Sequence, residues 1–280
     1  MEYVEARRGA IDARLEAAID RVEPEALERP MRHSLLAGGK RVRPTLTVLT
    51  CEAVGGELED ALEFAVGIEL VHTASLVVDD IIDRATIRRS APSTWSAFGH
   101  DGALVGSDGL LAEAFDRFAG DQRAMALVAE ALVELGEGEA TELVDRPTTR
   151  AEYLELARRK TGVLFRAAAE LGAIAGGADE TTVDALGSYA ERVGVAFQIR
   201  DDVLDVTADE AVLGKPAGRD DAMDRPSLLA VTDLSPTEAD RYAWEQSRAA
   251  LEALDGVDVV DDEVARYLAD LARFVVTRER

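Results

Sequence analysis

The 280-residue chain sets 55 Asp and Glu against 31 Lys and Arg, a net charge of −24, beside 47% hydrophobic residues. That apolar fraction is ample for a sizeable core, which excludes a chiefly disordered chain, and the length admits one or two domains. So acidic a balance repels phosphate backbones and anionic lipid, which argues against nucleic-acid binding and membrane-surface docking and leaves only local basic clusters to bind an anion.

At the start, MEYVEARRGA lacks both the basic opening and the apolar stretch of a signal peptide. Cys51 has no second cysteine to pair with, and together these features predict a reduced, cytoplasmic protein. Residues 38–44 read GGKRVRP: a glycine turn, three cations and a proline suited to the first turn of a helix. Backbone N–H groups at such a helix start add partial positive charge, so the segment is an anion site in outline. A basic helix start that merely pairs with nearby acids is the plainer alternative, and the adjoining glycines weigh against it.

Apolar residues recur every three or four positions through 61–78, 125–144, 151–175 and 183–206, predicting helices, while strand-like alternation is nearly absent. The chain therefore reads as all-α. With no fixed-period repeat, low-complexity tract or composition break, one helical domain over 1–280 is expected. The longest charge-free apolar stretches, such as 70–78 and 171–178, fall short of the ~20 residues that cross a bilayer, so no transmembrane segment is predicted. Residues 84–109 and 207–227 are too polar or too rich in Gly and Pro for plain helix.

The helix over 61–78 runs into Asp79-Asp80-Ile81-Ile82-Asp83, and the spacing returns 122 residues later as Asp201-Asp202-Val203-Leu204-Asp205. Residues four apart share a helix face, so Asp79 points with Asp83 and Asp201 with Asp205. Like charges so placed destabilise a helix, the more so beside apolar neighbours, and a divalent cation removes the repulsion. Carboxylates suit hard cations, and Mg²⁺ takes one or two while leaving its other positions to water and phosphate. A solvated acidic face would explain one such motif in this chain; a second copy, again in a weakly charged stretch, favours metal binding.

Cations recur beside both clusters. Arg88 and Arg89 follow the first, and arginine suits bidentate contact with phosphate. His72, two turns before Asp79, projects from the same face, whereas His33 and His100 have no such alignment and read as structural. Lys160, Thr161 and, one turn before Asp201, Gln198 are placed to face one cavity. Lys215 and Arg225 lie in the polar segment after the second cluster, either a flap that closes over phosphate or an ordinary connector. Lys40, Lys160 and Lys215 are the only 3 lysines beside 28 arginines, and each falls in one of these segments. The acidic, lysine-poor composition fits a salt-rich cytoplasm, where ~1 M salt shortens the Debye length to about 3 Å, or GC-rich drift in base composition.

Through GGKRVRP (38–44), ELVHTASLVVDDIID (69–83), Arg88-Arg89, KTGVLF (160–165), FQIRDDVLD (197–205) and GKPAGRD (214–220), the chain resembles the trans-isoprenyl diphosphate synthases. Its composition looks like that of a haloarchaeal member. The resemblance implies a helical bundle around a deep central cavity, usually a homodimer. It also implies that Asp79, Asp83, Asp201 and Asp205 hold Mg²⁺ with support from Asp80 and Asp202, and that Arg88, Lys160, Gln198, Lys215 and Arg225 surround an allylic diphosphate. Lys40, Arg43, His72 and Arg89 would bind isopentenyl diphosphate, with Lys160, Thr161 and Gln198 nearest the chemistry. Departures from the family pattern are Arg225 for lysine, Ser90 and Ser107 for glycine, and Glu139 for glutamine.

The implied reaction breaks an allylic C–O bond, stabilises the departing diphosphate with preorganised cations, and adds isopentenyl diphosphate to the resulting carbocation in a site that excludes water. In this family the departing diphosphate is thought to take the proton, so no protein base is expected. The growing tail is expected to run along the helix of the first Asp cluster. Ala74 and Ser75 are small where short-chain relatives place aromatics, which implies C20 (geranylgeranyl diphosphate) or longer. Val71, Ile68 and Phe115 are candidate limits, and Ala74→Phe is expected to shorten the product. Competing readings are a non-catalytic regulatory subunit of a heteromeric synthase and an acidic scaffold that binds divalent ions; intact motifs oppose the first and GGKRVRP the second.

Overall fold

The computed structural model describes residues 2–213 and 226–278. Helices α1 (Glu2–Ile19), α2 (Glu25–Leu35) and α3 (Val42–Ala53) lead to the long α4 (Leu58–Ile82). A capping box between Glu57 and Asp60 starts α4, satisfying helix-end N–H groups that would otherwise lack partners. By length and apolarity α4 could cross a membrane, but 67% of its qualifying window is buried inside the protein. It is a core helix, packed by α3, by α5 (Thr94–Phe118) and by α8 (Val163–Ala175).

Beyond α4, strands β1 (Ile87–Arg88) and β2 (Ala91–Pro92) form a minimal antiparallel hairpin. Irregular backbone was expected through 84–109, yet α5 begins at Thr94 and carries one non-helical residue, Gly99. Its glycines serve close packing: a Cβ on Gly106 would lie 3.0 Å from Pro30 and one on Gly109 2.6 Å from Met31 Sδ, both on α2. Burial against α2 and α4 outweighs weak helix propensity here.

Next come α6 (Gln122–Ala140), α7 (Arg150–Ala157), α8 and the 34-residue α9 (Glu180–Leu213). Two π-helical turns interrupt the expected periodic stretches, Thr141–Asp145 after α6 and Arg158–Gly162 between α7 and α8. Short α10 (Leu228–Val231), α11 (Pro236–Leu254) and α12 (Asp262–Thr277) follow, and α11 packs along α9. One core of apolar side chains, the aromatic Tyr189 and Phe118 among them, runs through the bundle. Cys51 is buried, and burial pushes its thiol up to about 12, so it is chemically quiet.

Candidate active site

The C-terminal half of α4, the hairpin, the two π-helical turns, α7 and α9 surround a cavity of about 440 Å³. Asp79 lines it from α4, Arg88 and Arg89 from the hairpin, Lys160 and Thr161 from the second π-helical turn, and Gln198, Asp201, Asp202 and Asp205 from α9. Arg43, His72 and Ser75 complete the set of expected residues on this wall. Two sequence motifs 122 residues apart thus share one chamber.

The GGKRVRP segment divides its cations. Arg41, in a left-handed conformation at the start of α3, turns inward to Glu69 (2.7 Å), Asp12 (2.9 Å) and the Leu35 carbonyl (2.8 Å), pinning α1, α3 and α4 together. Arg43 instead faces the cavity, its guanidinium 4.5 Å from the Phe165 ring centre and donating to His72 Nε2 at 3.0 Å. A guanidinium only donates, so Nε2 accepts and the neutral His72 carries its proton on Nδ1. Burial, then Arg43 and Arg89, hold His72 well below its ordinary pKa; burial lowers Arg43 to about 10, still charged at neutral pH. Arg89 donates to the Gly38 carbonyl. Gly39, at φ 141°, leaves the space: a Cβ there would lie 2.8 Å from Arg89 Nη1.

Within the Asp motifs, the middle residues are the buried ones. Asp80 is 2% exposed and accepts from Arg88 Nε at 2.7 Å. Asp202 is 4% exposed and accepts from Tyr153 Oη (2.5 Å), the Leu228 N–H (2.8 Å) and Gln198 Nε2 (3.1 Å). Thr161 donates to the other end of the Gln198 amide at 2.8 Å. Asp201 meets the Arg278 guanidinium, which also covers the Phe197 ring at 3.8 Å. Burial raises the Asp201 pKa against the pull of Arg278, and the like charge of Asp205 adds to the rise.

Lys160 ion-pairs with Glu139 (2.8 Å) and Glu142, the latter from the facing π-helical turn. Burial works against the ammonium charge, but Glu142 and Glu139 outweigh it and raise the Lys160 pKa. Burial raises Glu139 as well, Lys160 opposes this, and the charge of Asp79 adds to it.

Several expected residues lie elsewhere. Asp83 closes α4 as its C-cap and is not on the cavity wall. Lys40 is exposed outside the wall, 6.0 Å from the Phe274 ring centre and near enough for its charge to favour ionised Asp201. Ala74, Val71 and Ile68 are at most 1% exposed in the core, and Phe115 packs against it; none lines the cavity. Lys215 and Arg225 lie outside the described residues. His33 Nε2 donates to the Pro92 carbonyl (2.8 Å), and His100 stacks on Trp95.

Sequence reasoning missed Tyr153, Glu142 and Arg278. Tyr153 stands seven residues before Lys160, a same-face spacing that could have found it. Arg278 is 77 residues from Asp201 and carries no local signal. Among the described residues no three His, Cys, Asp or Glu side chains form a ready cluster for a metal. The donor set fits a hard cation bound by one or two carboxylates with its other positions left to water and phosphate.

Known proteins resemble this chain over most of its length. The polyprenyl synthetase family profile matches residues 24–259. A short chain isoprenyl diphosphate synthase of Methanothermobacter thermautotrophicus is 40% identical over 240 residues, covering 82% of this chain and 74% of that protein. A geranylgeranyl diphosphate synthase of Methanosarcina mazei is 36% identical over 241 residues, with the same shares of 82% and 74%. The crystal structure of geranylgeranyl pyrophosphate synthetase from Pyrococcus horikoshii superposes with TM-score 0.89 at 34% identity, covering 99% of this chain and 98% of that one. A polyprenyl synthase from Caulobacter crescentus, complexed with calcium and isoprenyl diphosphate, superposes with TM-score 0.85 at 28% identity over 100% and 97% of the two chains. The chain belongs to the polyprenyl synthetase family and is an all-α prenyltransferase.

Proposed function

We propose that the enzyme condenses isopentenyl diphosphate head-to-tail with an allylic diphosphate, using Mg²⁺, to make a C20 product. The observation that carries this reading is that Asp79, Asp201 and Asp205 face the same cavity as Arg43, Arg88, Arg89 and Lys160. Carboxylates and cations in one chamber suit a metal-bridged diphosphate; either set alone would suit something simpler. The names of the Methanosarcina and Pyrococcus relatives support geranylgeranyl diphosphate as the product.

Asp79, Asp201 and Asp205 would hold the metal, which when bound neutralises charge on the diphosphate oxygens. Arg88, steadied by Asp80, and Lys160, steadied by Glu139 and Glu142, are the residues that hold the allylic diphosphate as its C–O bond breaks. Lys215 and Arg225 are assigned to the same group by motif alone. Arg43 and Arg89 hold isopentenyl diphosphate; His72, being neutral, contributes an Nδ1–H donor rather than a charge, and Lys40 guides the anion from outside the wall. Leu76, Leu135, Leu156 and Leu164 keep the tail side of the cavity apolar and exclude water from the carbocation. No side chain is assigned as a base.

A single catalytic domain over 1–280, a cytoplasmic setting, a salt-adapted surface and a homodimer complete the proposal. Exposed Val78 and Ile82 on α4 and Leu104 and Val105 on α5 support the last, since a second copy would cover them. Purified protein incubated with Mg²⁺, isopentenyl diphosphate and allylic primers of several lengths should yield elongated product from the protein alone, and none without the divalent ion. Absence of product at both low and high salt would overturn the reading.

A further inference from the structure

Tyr153 has no part in the chemistry described so far, yet it is 2% exposed at the cavity wall with its hydroxyl 2.5 Å from Asp202 Oδ2. Its placement follows from local sequence. Thr149 and Glu152 form a capping box that starts α7, and the Tyr153 N–H closes the next bond onto the Thr149 carbonyl at 3.0 Å. The ring therefore leaves the first turn of α7 at a defined angle, toward α9.

Asp202 is the junction. Its Oδ2 receives Tyr153 and the Leu228 N–H, the latter opening α10; its Oδ1 receives Gln198 Nε2 at 3.1 Å. Since a carboxylate only accepts, the Gln198 amide must present nitrogen to Asp202 and oxygen to Thr161, whose hydroxyl donates at 2.8 Å. The order Tyr153, Asp202, Gln198, Thr161 is a continuous chain from α7 through α9 to the π-helical turn that carries Lys160. Each link fixes the next.

We propose that Tyr153 is a positioning residue: through Asp202 it orients the Gln198 amide and the Thr161 hydroxyl at the diphosphate end of the cavity. The inference rests on reading that cavity as a metal–diphosphate site. Tyr153→Phe separates this role from packing, because it keeps the ring and removes only the donor to a buried carboxylate.

The test measures wild type, Tyr153→Phe, Gln198→Ala and the double variant in two ways: steady-state condensation, and Mg²⁺-dependent binding of inorganic diphosphate by calorimetry. A hydrogen bond to a charged partner corresponds to about ten- to hundredfold, so Tyr153→Phe should lower kcat and diphosphate affinity by at least about tenfold, with KM for isopentenyl diphosphate within about twofold of wild type. Its melting temperature should stay within a few degrees. In the Gln198→Ala background the same change should cost less than about twofold, because the residue it acts through is gone. Full additivity of the two losses, or a Tyr153→Phe enzyme equal to wild type in both measurements, overturns the proposal. Should wild type give no elongated product, the function proposed above falls, while diphosphate binding still decides the role of Tyr153.

Discussion

At the scale of single residues, burial decides which acids are ordinary and which are not. Glu170, 7% exposed, is pushed up to about 7 by burial, against the pull of Arg166 2.7 Å away. A carboxyl whose pKa is raised on folding binds its proton more tightly in the folded state. Its contribution therefore favours folding at low pH and is lost as pH rises from about 4.5 to about 7. At about 1.4 kcal/mol per tenfold change in proton affinity, the window spans on the order of 3 kcal/mol. Glu170→Gln should flatten that part of the stability profile, measured by urea unfolding at several pH values; an unchanged slope would contradict this account. The cavity residues were legible for the same reason that Glu170 was not. Asp79, Asp201 and Lys160 sit in motifs whose spacing announces them, whereas the environment of Glu170 depends on α9 packing against α8, which no local pattern encodes.

At the scale of elements, the hairpin after α4 holds Arg88 and Arg89 through a two-residue turn with φ of 50° at Arg89 and 64° at Ser90. Successive positive φ values are what a tight hairpin turn demands, and glycine meets the demand at least cost. Serine here is a strained choice. Ser90→Gly should raise stability by roughly 0.5–1 kcal/mol by denaturant titration, with activity unchanged or higher. The tail side of the cavity carries another element-scale prediction. Ser75 lines the wall while Ala74, its neighbour, is packed in the core with its carbonyl accepting from Ser107 at 3.2 Å. Ser75→Phe should therefore shorten the product seen by chromatography at little cost in melting temperature, whereas Ala74→Phe should overpack the core and destabilise by about 1–3 kcal/mol. The helix α4 and its Asp motif were evident from apolar periodicity. The helix α5 was not, because its glycines read locally as breakers; packing of the element against α2 and α4 holds Gly102, Gly106 and Gly109 helical, while Gly99 stays non-helical.

At the scale of the whole molecule, a net charge of −24 on 280 residues makes self-repulsion a term in stability. Raising KCl from about 0.1 M to about 1 M shortens the Debye length from about 10 Å to about 3 Å, so the melting temperature should rise by several degrees. A flat response would favour drift in base composition as the origin of the acidic surface. The all-α architecture was legible because helical periodicity accumulates over long stretches. The tie between Asp201 and Arg278 was not, since it joins α9 to residues following α12, and only the folded bundle brings them within reach.

The burial of α4 has a consequence for biosynthesis. Eighty residues separate its last residue, Ile82, from the first of α8, Val163, which packs against it. While that stretch is being translated, α3 and then α5 are there to meet the apolar α4, but the face that α8 will take is still uncovered. Quality control on the ribosome, rather than the marginal free energy of the finished bundle, is then where substitutions in α8 would first be felt.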